Sequence, residues 1–469
     1  MKILLGMVAF ILMGCSATVP GLRLGEAQAG APGRWSATPE ARSGIDTRWV
    51  SRIGGRRATS LVDEALSANP DMRVAAERVN RAVAASRTAG AALKPSIEAG
   101  LSGDRSRQVF VGFPFGGGGV PSSLSDNYGA SLTASWEPDI WGFARAGQAA
   151  LIADAQAEGQ AYRAARASLA AQVVRAWLAL AEANEQIALA EKSTFLFKQT
   201  MEIVRDRFTS ALAEEGGSAS QYRLAESQFE TSKATLAQRQ GEREQAIRQL
   251  ELLLGRYPAG AIASSETLPT IPAMPPAGLP SELLLRRPDI LAAERRFASS
   301  GSRLEQGRLA FYPSLKITAT GGTRTDSLRK LIDSDFGIWS LAGAISQPIW
   351  KGGALRSEYD RLKADDRSAL ASLQSAVLKA FGEVEQALVA DRFLAQRGTA
   401  ITAAAKSATE SADSAKLDYA GGTGDALTLI TAQSNRITLA SQLVTLRRLR
   451  LDNRVSLHLA LGGDYRVGK

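Results

Sequence analysis

Two stretches of this chain carry the same pattern in the same order, and that duplication constrains the fold more than any other feature. In the first, Glu64 and Leu66 precede Pro70 and Asp71, and a helix-like run leads to Lys94, Pro95, Ser96 and Ile97. In the second, Glu282 and Leu284 precede Pro288 and Asp289, and a similar run leads to Tyr312, Pro313, Ser314 and Leu315. At one constant offset Ala75 aligns with Ala293, Arg78 with Arg296 and Ala92 with Ala310. A proline at the first helical position starts each helix with its φ already set, and a second proline stops it before a strand. A repeat of only two units is too short for a free-standing solenoid, so the halves pair with each other or the chain assembles with copies of itself.

After each short helix the apolar period changes to two. Ile97, Ala99 and Leu101 alternate with polar residues, as do Tyr128, Ala130, Leu132, Ala134 and Trp136. The second copy repeats this with Leu315, Ile317 and Ala319, then Trp339, Leu341, Gly343 and Ile345. These are half-buried strands, each near the roughly 9 to 11 residues that a tilted membrane strand needs. Four strands cannot close a barrel, and an open edge cannot sit in lipid, so membrane strands here require several chains to share one barrel. The alternative is a soluble hairpin lying on the helices. Between the first two strands Phe113 to Gly119 carries a glycine run. No Lys-Ser or Lys-Thr follows it and no helix begins there, so it reads as a loop and not as a phosphate cradle.

The segments after the hairpins are long helices. Val173, Ala176, Leu180, Ala183, Ile187, Ala190, Thr194, Phe197, Met201, Val204 and Phe208 step by three and four in turn, a heptad seam with Thr194 its one polar member. The helical pattern spans 146–212, on the order of 100 Å at 1.5 Å per residue. A second rod spans 355–419, with Leu362, Leu370, Leu373, Val377 and Val384 on one side and Asp391 interrupting the seam, where it sets register or lies at the surface, the other reading being that it faces a lumen. Gly216 and Gly217 end the first rod, and Gly421, Gly422 and Gly424 the second; a return helix follows each. The first turn, Phe208 to Ser220, is longer than its counterpart near Tyr419.

Lys2, the apolar run Ile3 to Met13, Gly14 and Cys15 form a secretory signal too short to span a bilayer. Leu12-Met13-Gly14-Cys15 resembles a bacterial lipobox, which makes Cys15 the candidate lipidation site. Cys15 is also the one cysteine, so no disulfide forms within the chain. The Gly-, Pro-, Ala- and Ser-rich stretch that follows reads as a tether.

Several function classes are excluded. The formal charge of +9 comes from Lys and Arg interleaved with 47 acidic residues, with no basic block carrying aromatics, so nucleic acid is not a partner. His458 is the single histidine and sits between Leu457 and Leu459, with no second His or Cys to complete a metal site or a catalytic pair. No catalytic residue, cofactor or metal is expected. An aromatic content of 6% with abundant Ala suits long, closely packed helices better than a compact enzyme domain.

Leu279 to Ile290, with Arg286, Arg287, Pro288 and Asp289 at its end, and then Ala292 to Arg295, resemble the signature of the TolC-like outer membrane efflux family in its lipoprotein branch. Asn69, Pro70 and Asp71 echo it in the first copy, Gln347-Pro348-Ile349-Trp350 with Gly352 and Gly353 follow the fourth strand, and Tyr419, Gly422, Leu427, Leu429 and Gln433 match the turn pattern. The resemblance implies a mainly α fold with a membrane β-barrel. Three chains would share a twelve-stranded barrel, and their coiled-coil helices would form a periplasmic α-barrel. It implies an outer membrane, lipid-anchored exit duct of a tripartite efflux system, with a periplasmic adaptor, an inner membrane RND-type transporter and outer membrane lipid as partners. The division expected is 1–14 signal, 15–59 lipidated tether, 60–260 first repeat, 261–278 Pro-rich linker, 279–463 second repeat and 464–469 tail. The duct would close at the turns farthest from lipid, where Asp425 beside Gly422 and Gly424 is the candidate gate; the other role for Asp425 is to cap the return helix. The alternatives to an efflux duct are the outer membrane port of a type I protein secretion system, and a periplasmic structural coiled-coil lipoprotein enclosing no pore.

Overall fold

A computed structural model describes residues 17–18, 21, 25, 35–37, 48–111, 121–211, 218–262, 266–275, 278 and 280–463. Cys15, the Phe113 to Gly119 run, Gly216, Gly217, Leu279 and the tail 464–469 lie outside the described residues. The elements run α1 (Trp49–Ala68), α2 (Pro70–Ala91), β1 (Ser96–Val109), β2 (Ser122–Trp136), α3 (Phe143–Ala211), α4 (Ala219–Leu253), α5 (Pro280–Arg286), α6 (Pro288–Leu309), β3 (Ser314–Thr325), β4 (Gly337–Ser346), α7 (Ala354–Ala420) and α8 (Ala426–Ala460). From α2 to α4 and from α6 to α8 the order is the same: short helix, two strands, long helix, return helix.

Sequence fixes the helix starts. Asn69 precedes Pro70 and accepts a hydrogen bond from the Asp71 N–H at 2.8 Å, while its own amide donates to the Leu253 carbonyl at 2.9 Å. Asp71 and Asp289 each occupy a first turn, where an acidic group opposes the positive end of the helix dipole.

The chain divides into two units. One comprises 78–158 and 293–373 and contains the sheet. The other comprises 24–77, 159–292 and 374–469 and is helical. Its core packs Trp49, Ile53 and Leu61 of α1 with Val173, Trp177 and Leu178 of α3, Ile247 and Leu250 of α4, and Leu451 and Val455 of α8. Fully burying each large side chain of this kind contributes about 1.5 to 3 kcal/mol, enough for the seam to specify the packing. All eleven positions of the first seam are buried or half-buried. Thr194 donates to Ala190 and Ser232 carbonyls at 2.9 and 3.3 Å, so the polar position is satisfied and ties α3 to α4. Polar contacts link α3 to α8: Gln186 donates to the Ser441 carbonyl at 3.1 Å, Arg447 pairs with Glu185 at 3.1 Å, and Thr200 donates to Gln433 at 3.0 Å.

Two expectations are corrected here. The tether assigned to 15–59 ends sooner, because α1 begins at Trp49 and buries Trp49, Val50, Ile53 and Ala58. Gly54 and Gly55 hide that helix in the sequence: Gly55 takes φ 60°, a kink that interrupts the period, and Gly54 lets Trp177 pack so closely that a Cβ there would meet its ring at 2.8 Å. Asp391 is not at the surface. It is 7% exposed and lies 2.8 Å from the Arg454 guanidinium of α8.

Directed bonds hold the start of the linker 261–278 and Leu268 within it. Glu251 accepts from the Gly260 and Ala261 N–H groups at 2.8 and 2.7 Å, bonds that hold its carboxyl below the usual carboxylate range. Further on, Leu268 donates to Glu185 at 2.8 Å, and its carbonyl accepts from Arg447 at 2.8 Å.

Candidate channel-forming elements

The sheet is a single antiparallel ladder in the order β1-β2-β3-β4, with one edge of β1 and one edge of β4 left without a partner among the described residues. Its register sorts the residues by face. The rows Ile97–Ala134–Ala319–Leu341 and Ala99–Leu132–Gly321–Trp339 share one side, continued by Leu101–Ala130 and by Leu315–Ile345. The rows between them are Ser96–Ser135–Thr318–Ala342 and Glu98–Thr133–Thr320–Ser340 on the other side. Thr133 and Thr320 hydroxyls lie 3.2 Å apart, a contact possible only on a shared face. Over these rows one face is therefore apolar, carrying Arg105, Arg107 and Asp126 only toward the far end of β1 and β2, and the other is mostly small and polar with a few charges, Ile338 its apolar exception.

The apolar face is open to its surroundings: Ile97 is 67%, Leu101 81%, Trp339 84% and Ile345 75% exposed. Among the described residues no helix covers these side chains, so a solvent other than water is the partner that makes the arrangement stable. Aromatics gather at the helix-linked ends of the strands. Trp136 donates to the Leu93 carbonyl at 3.2 Å, Trp141 donates to the Pro313 carbonyl at 2.8 Å, and Trp141 packs on Tyr312 at 5.3 Å. Trp350 and Ile349 are 84% and 88% exposed beside them in sequence after β4. Amphipathic rings at strand roots are the signature of a membrane boundary.

The turn between α7 and α8 is closed by backbone hydrogen bonds. Gly421 donates to the Leu417 carbonyl at 2.8 Å, and Thr423 and Gly424 both donate to Asp418 at 3.0 Å. Gly422 takes φ 84°, a conformation that favours glycine, and a Cβ on Gly424 would crowd the Tyr419 nitrogen at 3.0 Å. Asp425 is the N-cap of α8: its carboxylate accepts from the Thr428 N–H at 2.9 Å and from the Thr428 hydroxyl at 2.7 Å. Those two bonds, the backbone one first, hold its carboxyl below the usual carboxylate range. With a depressed folded pKa, the cap's contribution is complete above the ordinary carboxylate pKa and is lost as pH falls through the lower folded value. The group stays ionised and exposed near neutral pH. Tyr419 is buried; its carbonyl accepts from Arg207 at 2.7 Å, and the Arg207 guanidinium lies 4.4 Å from its ring centre. Nothing in the sequence distinguishes Arg207 from the other basic residues of α3. His458 is buried and stacks on Trp49 at 5.9 Å, a packing role.

The family model of the outer membrane efflux protein matches residues 61–256 and 279–463, one match for each copy of the repeat. The chain belongs to the outer membrane efflux protein family. It is 29% identical over 449 residues to the outer membrane protein OprJ of Pseudomonas aeruginosa, covering 93% of this chain and 90% of OprJ. It is 26% identical over 482 residues to the probable outer membrane lipoprotein SilC of Salmonella typhimurium, covering 99% of each. The solved outer-membrane channel OprN superposes with a TM-score of 0.86 at 25% identity, covering 96% of this chain and 99% of that one. The sheet is thus a segment of a shared outer membrane β-barrel, and the long helices belong to a helical barrel. The protein is an outer membrane efflux conduit with a periplasmic helical portion, and its family is one of channels, not of enzymes.

Proposed function

We propose that three copies of this chain assemble into one duct, each giving its four strands to a twelve-stranded barrel, and that small molecules such as drugs or toxic compounds leave through it. The observation that carries this reading is the two-faced sheet with two open edges, which lipid tolerates only when neighbouring copies close the ladder. The duct is passive: an inner membrane RND-type transporter supplies the energy, and a periplasmic adaptor links the two. Crosslinking in cells followed by identification of the captured proteins should recover both partners. Recovery of neither from cells in which this chain is assembled would overturn the tripartite reading.

In this assembly Cys15 carries a lipid anchor that supplements the barrel. Cys15→Ser, exported from a conventional signal peptide, should lose the acyl modification yet stay partly in the outer membrane. Complete release to the soluble fraction would contradict anchoring by the barrel.

Asp425 becomes an acidic ring in a threefold assembly, held by Gly422 and Gly424 at the turn where the duct narrows, and it favours cations there. Its bonds to Thr428 supply the capping role as well, and substitution separates the two. Asp425→Ser keeps a capping oxygen and removes the charge, so conductance should rise or cation preference weaken with little change in thermal midpoint. Unchanged conductance and selectivity in Asp425→Ser, with a lowered midpoint in Asp425→Ala, would leave Asp425 a cap only.

A further inference from the structure

We propose that Arg105 and Arg107, at the outward end of the lipid-facing side of β1, bind the phosphate of a phosphorylated glycolipid headgroup in the outer leaflet. The assignment rests on the sheet being a barrel segment with its apolar face toward lipid. Along β1 the period of two places Arg105 and Arg107 on the side that carries Ile97, Ala99 and Leu101. At about 3.3 Å per residue and a strand tilt of about 45°, the path from Ile97 to Arg107 rises about 23 Å along the membrane normal. That matches the roughly 25 Å height of the apolar band on such barrels.

A guanidinium inside the band is strongly disfavoured, and the penalty fades at its boundary, so the pair marks headgroup level. The level is the outer one, because α2 and α3 join β1 and β2 at their other ends. Arg105 is exposed and has one carboxylate neighbour, Asp126, directly opposite on β2 at 3.3 Å. Arg107 instead faces Leu124, which is apolar, exposed and offers it no charge. Two guanidinium forks one pleat apart, beside an exposed leucine, fit a phosphate above an acyl chain. The outer leaflet of a bacterial outer membrane presents such phosphates on glycolipid.

The test uses the full chain, purified in detergent, with native mass spectrometry to follow three probes: phosphorylated lipid A, the same lipid A without its phosphates, and phosphatidylglycerol. Arg105→Gln/Arg107→Gln should weaken binding of the phosphorylated lipid A about tenfold or more and leave the dephosphorylated lipid unaffected. Arg324→Gln, on the opposite face of the sheet, should change neither. Undiminished binding in the double variant would overturn the site, and so would an equal loss in Arg324→Gln. Phosphatidylglycerol bound by the parent as tightly as lipid A would overturn the glycolipid assignment. A failure of the barrel reading itself would show separately, as absence of heat-modifiable oligomers in the parent.

Discussion

Arg454→Met should destabilise the helical unit by about 3 to 5 kcal/mol, the usual result of leaving a buried charge without its partner. Arg454 and Asp391 are 4% and 7% exposed, so solvent does little to screen the loss. Burial pulls the Arg454 pKa down from its ordinary value, with Asp391 the main opposing influence. Arg454 also donates to the Pro272 carbonyl at 3.3 Å, so the substitution loosens the linker as well. The pair joins α7 to α8, yet Asp391 Oδ1 receives no well-directed hydrogen bond from it. The attraction therefore repays little more than the desolvation. Asp391→Leu combined with Arg454→Met should recover most of the stability, and chemical unfolding of the two variants in detergent checks both claims. Equal loss in the single and double variants would mean that packing around Arg454, not its charge, holds the helices.

Leu341→Arg should block assembly, whereas Ala342→Arg should be tolerated. Leu341 lies in the row with Ile97, Ala134 and Ala319, and Ala342 in the row with Ser96, Ser135 and Thr318. An arginine on the lipid face of a barrel costs about 2 to 4 kcal/mol at the bilayer midplane, and on the lumen face much less. Leu341 is 70% exposed, so its replacement removes little packing within the chain and the defect reports on the lipid contact. Heat-modifiable oligomers in membranes measure the difference; equal yields from the two variants would contradict the assignment of faces.

The strands were legible because period two and the flanking prolines act locally, and the face assignment in the sequence matches the register. The long helices were legible for a similar reason. Rods expected over 146–212 and 355–419 span Phe143–Ala211 and Ala354–Ala420, the second ended by the glycine turn just beyond it. Where glycine acts against the local period, legibility fails. Gly54 and Gly55 conceal α1, and the hydrogen bonds that close the glycine turn before Asp425 could not be read from its spacing. Lateral partners were not legible. Arg207 with Tyr419 and Arg454 with Asp391 are set by how helices distant in sequence lie side by side, which no spacing along one helix encodes. The number of copies and the partners proposed here come from the resemblance to the efflux family and not from local physics.

The most direct test of the conduit is electrical. The purified assembly, inserted into planar lipid bilayers, should conduct ions through discrete, cation-preferring openings, and Asp425→Ser should raise the conductance or weaken the preference. Assembled, heat-modifiable oligomers that conduct no current under any voltage or salt condition, in the parent and in Asp425→Ser alike, would contradict a duct and leave a structural role for the helices.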